Sequence, residues 1–254
     1  MFLAIDVGNT NIVLGVFDRD ELIFSSRVFT RKDALSDEYA VLFNNILNFD
    51  NINPESIDAC LISSVVPKIS PVISNAIERI CNCKPMLLAA GLKTGINILI
   101  DNPAQLGSDM VANAVAATSR YTLPLIVIDL GTAMTFSVID ENKAFLGGAI
   151  TAGVRTALDG LTSKTSLLQD INIEAPASII GKNTVDSMKS GFVFGTASLI
   201  DGMIARISKE KNKEFTVVAT GGMSRFIIPH CLSKINIEPN LMLWGLLEIY
   251  KKNA

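Results

Sequence analysis

Apolar residues in this chain fall into short runs that end in small polar turns, and the runs have two periods. Phe2–Asp6, Ile12–Phe17 and Leu22–Phe29 read as three strands of a meander, turned by Gly8-Asn9-Thr10 and Asp18-Arg19-Asp20-Glu21. From Asp37 to Leu47 the spacing is helical: Tyr39, Leu42, Phe43 and Ile46 share a face, and Ser36 is placed to cap it. Ala59–Val66 is a further strand, stopped by Pro67. Ile69–Ile80 is a helix that carries Pro71 in its first turn. Met86–Ala89 and Ile96–Ile100 are short strand candidates, and Asp109–Arg120 is an alanine-rich helix.

The pattern then restarts. Leu125–Asp129, Met134–Ile139 and Ala144–Ala149 form a second meander, followed by helices at Val154–Leu168 and Val185–Ser208. Phe215–Ala219 is a strand ending in Thr220-Gly221-Gly222, and Leu241–Tyr250 is a closing helix. Strands mixed with crossing helices, used twice, predict an α/β protein of two lobes with a cleft between them. The expected lobes are residues 1–120 and 121–254, with the boundary near Arg120 to Pro124.

The restart repeats residues as well as pattern. Asp6-Val7-Gly8-Asn9-Thr10 ends the first strand, and Asp129-Leu130-Gly131-Thr132-Ala133 ends its counterpart. Asp6 falls on Asp129, Gly8 on Gly131 and Asn9 on Thr132 without a gap. A glycine lets the backbone approach a phosphate, and successive N–H groups in a tight turn cradle an anion. The aspartate closing each strand can hold a metal ion directly or through water. Either copy alone reads more readily as an ordinary hairpin. Two copies in one register point to a nucleotide triphosphate and its cation held from both sides. Thr220-Gly221-Gly222 is either a plain strand-to-helix turn or a place where a ring or sugar meets the backbone.

Composition narrows the classes. Of 254 residues, 49% are hydrophobic and 19% charged, which suits a packed globular protein rather than a disordered one. A net charge of −3 without a long basic run gives no sign of a nucleic-acid partner or an anionic membrane surface. No apolar stretch reaches the roughly 18 residues of a membrane span, and no basic n-region precedes Phe2, so a cytoplasmic protein is expected. Cys60, Cys81, Cys83 and Cys231 lack zinc spacing and read as free thiols. His230 is the only histidine, so a proton acceptor is expected to be a carboxylate.

The polar block Asn102-Pro103-Ala104-Gln105-Leu106-Gly107-Ser108-Asp109 runs straight into a helix, with Asn113 one turn beyond Asp109 on the same face. Asp109 is either a helix cap or a charged base that accepts a proton from a substrate hydroxyl. Taken in order, this block and the two Asp-Gly loops are followed by Gly147-Gly148-Ala149-Ile150. Ile180-Gly181-Lys182-Asn183-Thr184 and Ser187-Met188-x-Ser190-Gly191 come next. The ordered set, spanning nearly the whole chain, resembles the type III pantothenate kinases, of the superfamily that includes acetate and sugar kinases, Hsp70 and actin.

The resemblance implies two ribonuclease-H-like lobes, a homodimer, and transfer of the γ-phosphate of ATP to pantothenate on the way to coenzyme A. It implies that Asp6, Val7, Gly8, Asn9, Thr10, Asn11, Ile12 and Val13 form the first phosphate loop, with Asp6 helping to place Mg²⁺. It makes Asp109 the general base, Asp129 the holder of K⁺ or NH₄⁺, and Thr132 an ATP contact. Ile100, Gly107, Ser108, Asp109, Met110 and Thr184 fall on the substrate side, Thr184 across the dimer interface.

Three positions depart from the family pattern. Met110 stands where Arg is usual, Ile100 where an aromatic is usual, and Ala152 where Pro is usual. Asp6, Asp109, Asp129 and Thr132 favour a pantothenate kinase. Met110 and Ile100 leave open a kinase for a related small alcohol, or a non-catalytic nucleotide-binding accessory protein.

Overall fold

The computed structural model describes residues 1–254. In chain order its elements are β1 (Phe2–Val7), β2 (Asn11–Asp18), β3 (Glu21–Phe29), α1 (Ser36–Phe49), β4 (Ala59–Ser64), α2 (Ser70–Ile80), β5 (Met86–Leu87), β6 (Asn97–Ile98) and α3 (Ser108–Arg120). Then follow β7 (Leu125–Leu130), β8 (Ala133–Ile139), β9 (Ala144–Ala152), α4 (Val154–Lys164), α5 (Thr184–Lys211), β10 (Thr216–Thr220), α6 (Ser224–Ile227), β11 (Ile235–Ile237) and α7 (Leu241–Asn253). None of the helices is long and apolar enough to cross a membrane.

The chain divides into two compact units. The first holds residues 1–95, 102–116 and 241–254, and the second holds 96–101 and 117–240. Each is built on the same sheet. In the first unit the strand order is β3-β2-β1-β4-β5. Its counterpart in the second reads β9-β8-β7-β10-β11, extended by β6 beside β9. In both, the first three strands are antiparallel and the last two run parallel to the central one. This repeated order is the ribonuclease-H-like, actin-like architecture.

Sequence periodicity explains the layers. In β1 the alternate residues Leu3, Ile5 and Val7 pack with Tyr39, Phe43 and Leu47 of α1 and Ile73 and Ile77 of α2. The opposite face also carries apolar side chains, as expected of a strand covered on both sides. There Phe2 stacks on Tyr250 and Phe17 meets Trp244 edge-on, both partners coming from α7. Asp6 lies on this second face, in register with the even-numbered residues. In the second unit Ile126, Ile128 and Leu130 of β7 pack with Val193, Ala197 and Ile200 of α5.

The division differs from lobes at 1–120 and 121–254. Residues 241–254 belong with the first unit because α7 buries Leu241, Leu243, Leu246, Leu247 and Ile249 there, and Gly245 lies against the Ala112 backbone of α3. Residues 96–101 belong with the second because β6 pairs with β9. Smaller corrections concern ends. Residues 165–168 lie outside α4, since Thr165 is its extended C-cap. Ser36 lies inside α1 rather than capping it; Glu38 instead accepts the Leu35 N–H at 2.8 Å.

The two Asp-Gly hairpins also differ by one residue. Val7 pairs with Ile12, whereas Leu130 pairs with Met134. The aspartates and glycines align, but the second turn is shorter, so Ile12 corresponds to Met134 rather than to Thr135.

Candidate active site

In the first unit the loop after β1 is closed on itself: the Gly8 N–H donates to the Asn11 carbonyl at 2.9 Å. A second strap comes from the end of β3. The Thr30 hydroxyl donates to the Gly8 carbonyl at 2.7 Å, and the Thr30 N–H donates to the Thr10 carbonyl at 2.9 Å. Asp6 is half-buried just before this loop.

Strand register ties that loop to the helix carrying Asp109. Asp6 of β1 lies beside Ser63 of β4. Ser63 is fully buried, and its hydroxyl is hydrogen-bonded to the Ser108 hydroxyl at 2.9 Å. Ser108 opens α3, and Asp109 follows it. The carboxyl-terminal edge of one sheet therefore presents a phosphate-type loop and a carboxylate together.

Two opposing effects act on Asp109. Burial pushes its carboxyl above the ordinary aspartate range. The first turn of α3 pulls the other way, since Asp109 Oδ1 accepts the Met110 N–H at 2.8 Å. Burial is the larger effect. A Cβ on Gly107 would fall 2.3 Å from Asp109 Oδ1, so the glycine leaves the space that the carboxylate fills. The net result suits a base: a carboxylate made more basic than usual, yet held in one orientation.

In the second unit Asp129 stands at the equivalent place, next to last in β7, beside Thr220 of β10. Gly221 follows with φ +90°, and a Cβ there would lie 2.5 Å from Asp129 Oδ1. The glycine both permits the left-handed backbone and lets it pass close to the Asp129 carboxylate and the Leu130 backbone. The adjoining turn is strapped like the first. The Thr132 carbonyl accepts from the Gly153 N–H at 3.0 Å and from the Thr156 hydroxyl at 2.7 Å. A Cβ on Gly153 would sit 2.0 Å from the Gly131 carbonyl oxygen, so the chain crosses this turn only as glycine.

The expected site residues are thus distributed as follows. Asp6 through Val13 and Gly107, Ser108, Asp109 and Met110 lie in the first unit; Ile100, Asp129, Thr132 and Thr184 lie in the second. Ile100 follows β6, and Thr184 is the exposed first residue of α5, with Asn183 as N-cap accepting the Asp186 N–H at 2.9 Å. Arg155 is engaged by two carboxylates, Asp159 and Asp170, each at 2.8 Å. Thr30, Ser63 and Thr156 were missed by sequence reading. Each acts across the fold, and no local spacing marks it.

A carboxylate beside a glycine turn is a chemically suitable ligand for a cation whose other ligands are phosphate oxygens and water. No group of three or more His, Cys, Asp or Glu forms an all-protein metal cage.

Comparison with known proteins identifies the family. The family model for type III pantothenate kinase matches residues 2–206. A type III pantothenate kinase of Exiguobacterium sibiricum is 42% identical over 253 residues, covering 100% of both chains. One from Finegoldia magna is 44% identical over 249 residues, covering 97% of this chain and 95% of its own. Among solved structures, a Baf family transcriptional activator from Campylobacter jejuni superposes with a TM-score of 0.61 at 19% identity, over 99% of this chain and 98% of its own. At that identity the likeness shows the fold alone. On the family match and on full-length relatives above 40% identity, the chain belongs to the type III pantothenate kinase family.

Proposed function

We propose that this protein transfers the γ-phosphate of ATP to the terminal hydroxyl of pantothenate, yielding 4′-phosphopantothenate and ADP, the first step towards coenzyme A. The observation that carries the reading is the link Asp6–Ser63–Ser108–Asp109, which sets a base-like carboxylate at the edge that bears a phosphate-type loop. Asp109 accepts the proton of the hydroxyl as its oxygen attacks the γ-phosphorus. The new O–P bond forms while the bond to the β–γ bridging oxygen breaks. The turn after β1 is assigned to the phosphates through its backbone N–H groups, and Thr132 is assigned as an ATP contact. Such a reaction asks mainly for positioning and charge neutralisation. Mg²⁺ near Asp6 and K⁺ or NH₄⁺ beside Asp129 would supply positive charge against the transferring group.

Met110, next to the base, offers no donor to the substrate's carboxylate. Arg155 is the basic residue to test next for that role. Thr184 at the exposed start of α5 is assigned to the pantothenate pocket of a homodimer. Four free thiols fit a reducing, cytoplasmic setting.

The test is a steady-state assay of the purified chain with ATP, Mg²⁺, K⁺ and pantothenate, with related small alcohols alongside. ATP-dependent phosphorylation of pantothenate in preference to the others is expected. Preference for another alcohol redirects the substrate assignment. ATP binding without transfer to any of them overturns the kinase reading in favour of an accessory role.

A further inference from the structure

We propose that Lys32 is a phosphate-contacting residue, the side-chain cation of the first nucleotide loop. The inference rests on the kinase reading above, because it assigns the ligand of that same loop.

Residues 6–13 include no Lys or Arg, yet a triphosphate brings several negative charges to them. Lys32 brings a cation from outside the loop, with its ammonium 3.3 Å from Asn9 Oδ1. The segment leading into it is fixed at two successive residues. Thr30 is strapped to Gly8 and Thr10 by the two hydrogen bonds described above. Arg31 is clasped by the fully buried Tyr39, whose hydroxyl donates to the Arg31 carbonyl at 2.9 Å and accepts the Arg31 N–H at 2.8 Å. A lysine on a free surface loop would lose more conformational entropy on gripping a ligand. Here the backbone is already ordered at the rim of the turn.

The ammonium also keeps its charge available. Its partner is a neutral amide oxygen, and it takes part in no ion pair, whereas neighbouring Arg31 is paired with Glu38 at 3.6 Å. Asn9 Oδ1 therefore holds the ammonium in place without neutralising it. A phosphate oxygen entering the turn is a stronger, charged acceptor for the same three donors.

The experiment uses the full chain as wild type, Lys32→Ala and Lys32→Arg, with the exposed Lys84→Ala as a surface control, all checked for folding by circular dichroism. Kd is measured by titration for ATP and for adenosine, and KM for ATP and for pantothenate. Lys32→Ala is expected to weaken ATP about tenfold to a hundredfold, the usual range for a charge-assisted hydrogen bond. Adenosine affinity and the KM for pantothenate should stay within about twofold. Lys32→Arg should keep most of the ATP affinity, and Lys84→Ala all of it. If Lys32→Ala binds ATP as wild type does while wild type turns over pantothenate, Lys32 is wrongly assigned and the kinase reading stands. A wild type that phosphorylates nothing, but still loses ATP rather than adenosine affinity on Lys32→Ala, supports Lys32 and removes the pantothenate reading. Equal losses for ATP and adenosine overturn the phosphate contact.

Discussion

Asp109 sits where burial resists its charge and a helix start accepts it. Two outcomes separate these effects. Asp109→Asn retains an oxygen for the Met110 N–H but removes the proton acceptor, so kcat should fall at least about a hundredfold. Near-normal turnover would remove Asp109 from the mechanism. Stability should move the other way. The folded carboxyl titrates above its unfolded value, so its stabilising contribution is complete below the unfolded pKa and is lost as pH rises through the folded one. At neutral pH the charged form opposes folding, and Asp109→Asn should show an equal or higher Tm than wild type. The gap should close as the pH is lowered past both values. The acid limb of kcat in the wild type should correspondingly lie above the usual aspartate value of about 3.9. Met110 is the complementary case. Met110→Arg restores a charge-assisted contact and should improve pantothenate KM by about 1.5–3 kcal/mol, with ATP KM unchanged. A KM for pantothenate that does not fall places the carboxylate partner elsewhere, and Arg155→Ala is then the informative variant.

Between residues and whole units lie the turns, and there the sequence was only partly legible. The strands could be read because each is a short apolar run closed by Gly, Asn or Asp, and the duplication because both runs end in Asp-x-Gly. The missing residue of the second turn could not be read, because the letters align through the glycine and only the pairing of Leu130 with Met134 reveals it. The straps were hidden for a related reason. Thr30 and Thr156 look like any loop or helix threonine until the fold lays them across a turn. Gly221 was visible as half of a Gly-Gly pair, but its contact with Asp129 was not. Gly221→Ala combines an unfavourable φ with a Cβ 2.5 Å from that carboxylate. It should destabilise the protein by at least about 1 kcal/mol. It should also blunt the response of activity to K⁺ or NH₄⁺, as should Asp129→Ala, which leaves the backbone untouched. Full cation response in both variants would take the monovalent ion away from Asp129.

At the scale of the molecule, the sequence marks Leu241–Tyr250 as a helix but does not show which sheet it covers. Its rings decide it: Trp244 and Tyr250 meet Phe17 and Phe2 of the first unit. Five buried side chains, Leu241, Leu243, Leu246, Leu247 and Ile249, are each worth about 1.5–3 kcal/mol. Their sum is comparable to the whole stability of a domain, about 5–15 kcal/mol. A chain stopped at Asn240 should therefore lose cooperative unfolding of the first unit, seen by calorimetry or hydrogen exchange. A milder version is Gly245→Val, since a Cβ there would lie 2.0 Å from the Ala112 carbonyl oxygen. Native-like melting of either variant would mean that α7 is dispensable.

That same allegiance sets an order of events during synthesis. The strands of the first sheet leave the ribosome early, but α7 follows every strand of the second unit. Until it arrives, Phe2 and Phe17 have only each other's rings to meet, and one face of the first sheet waits for its cover. The second unit, whose five core strands lie between residues 125 and 237, can close first. A nascent chain of this protein is thus expected to finish the half it began second, and to offer chaperones an apolar face through most of its translation.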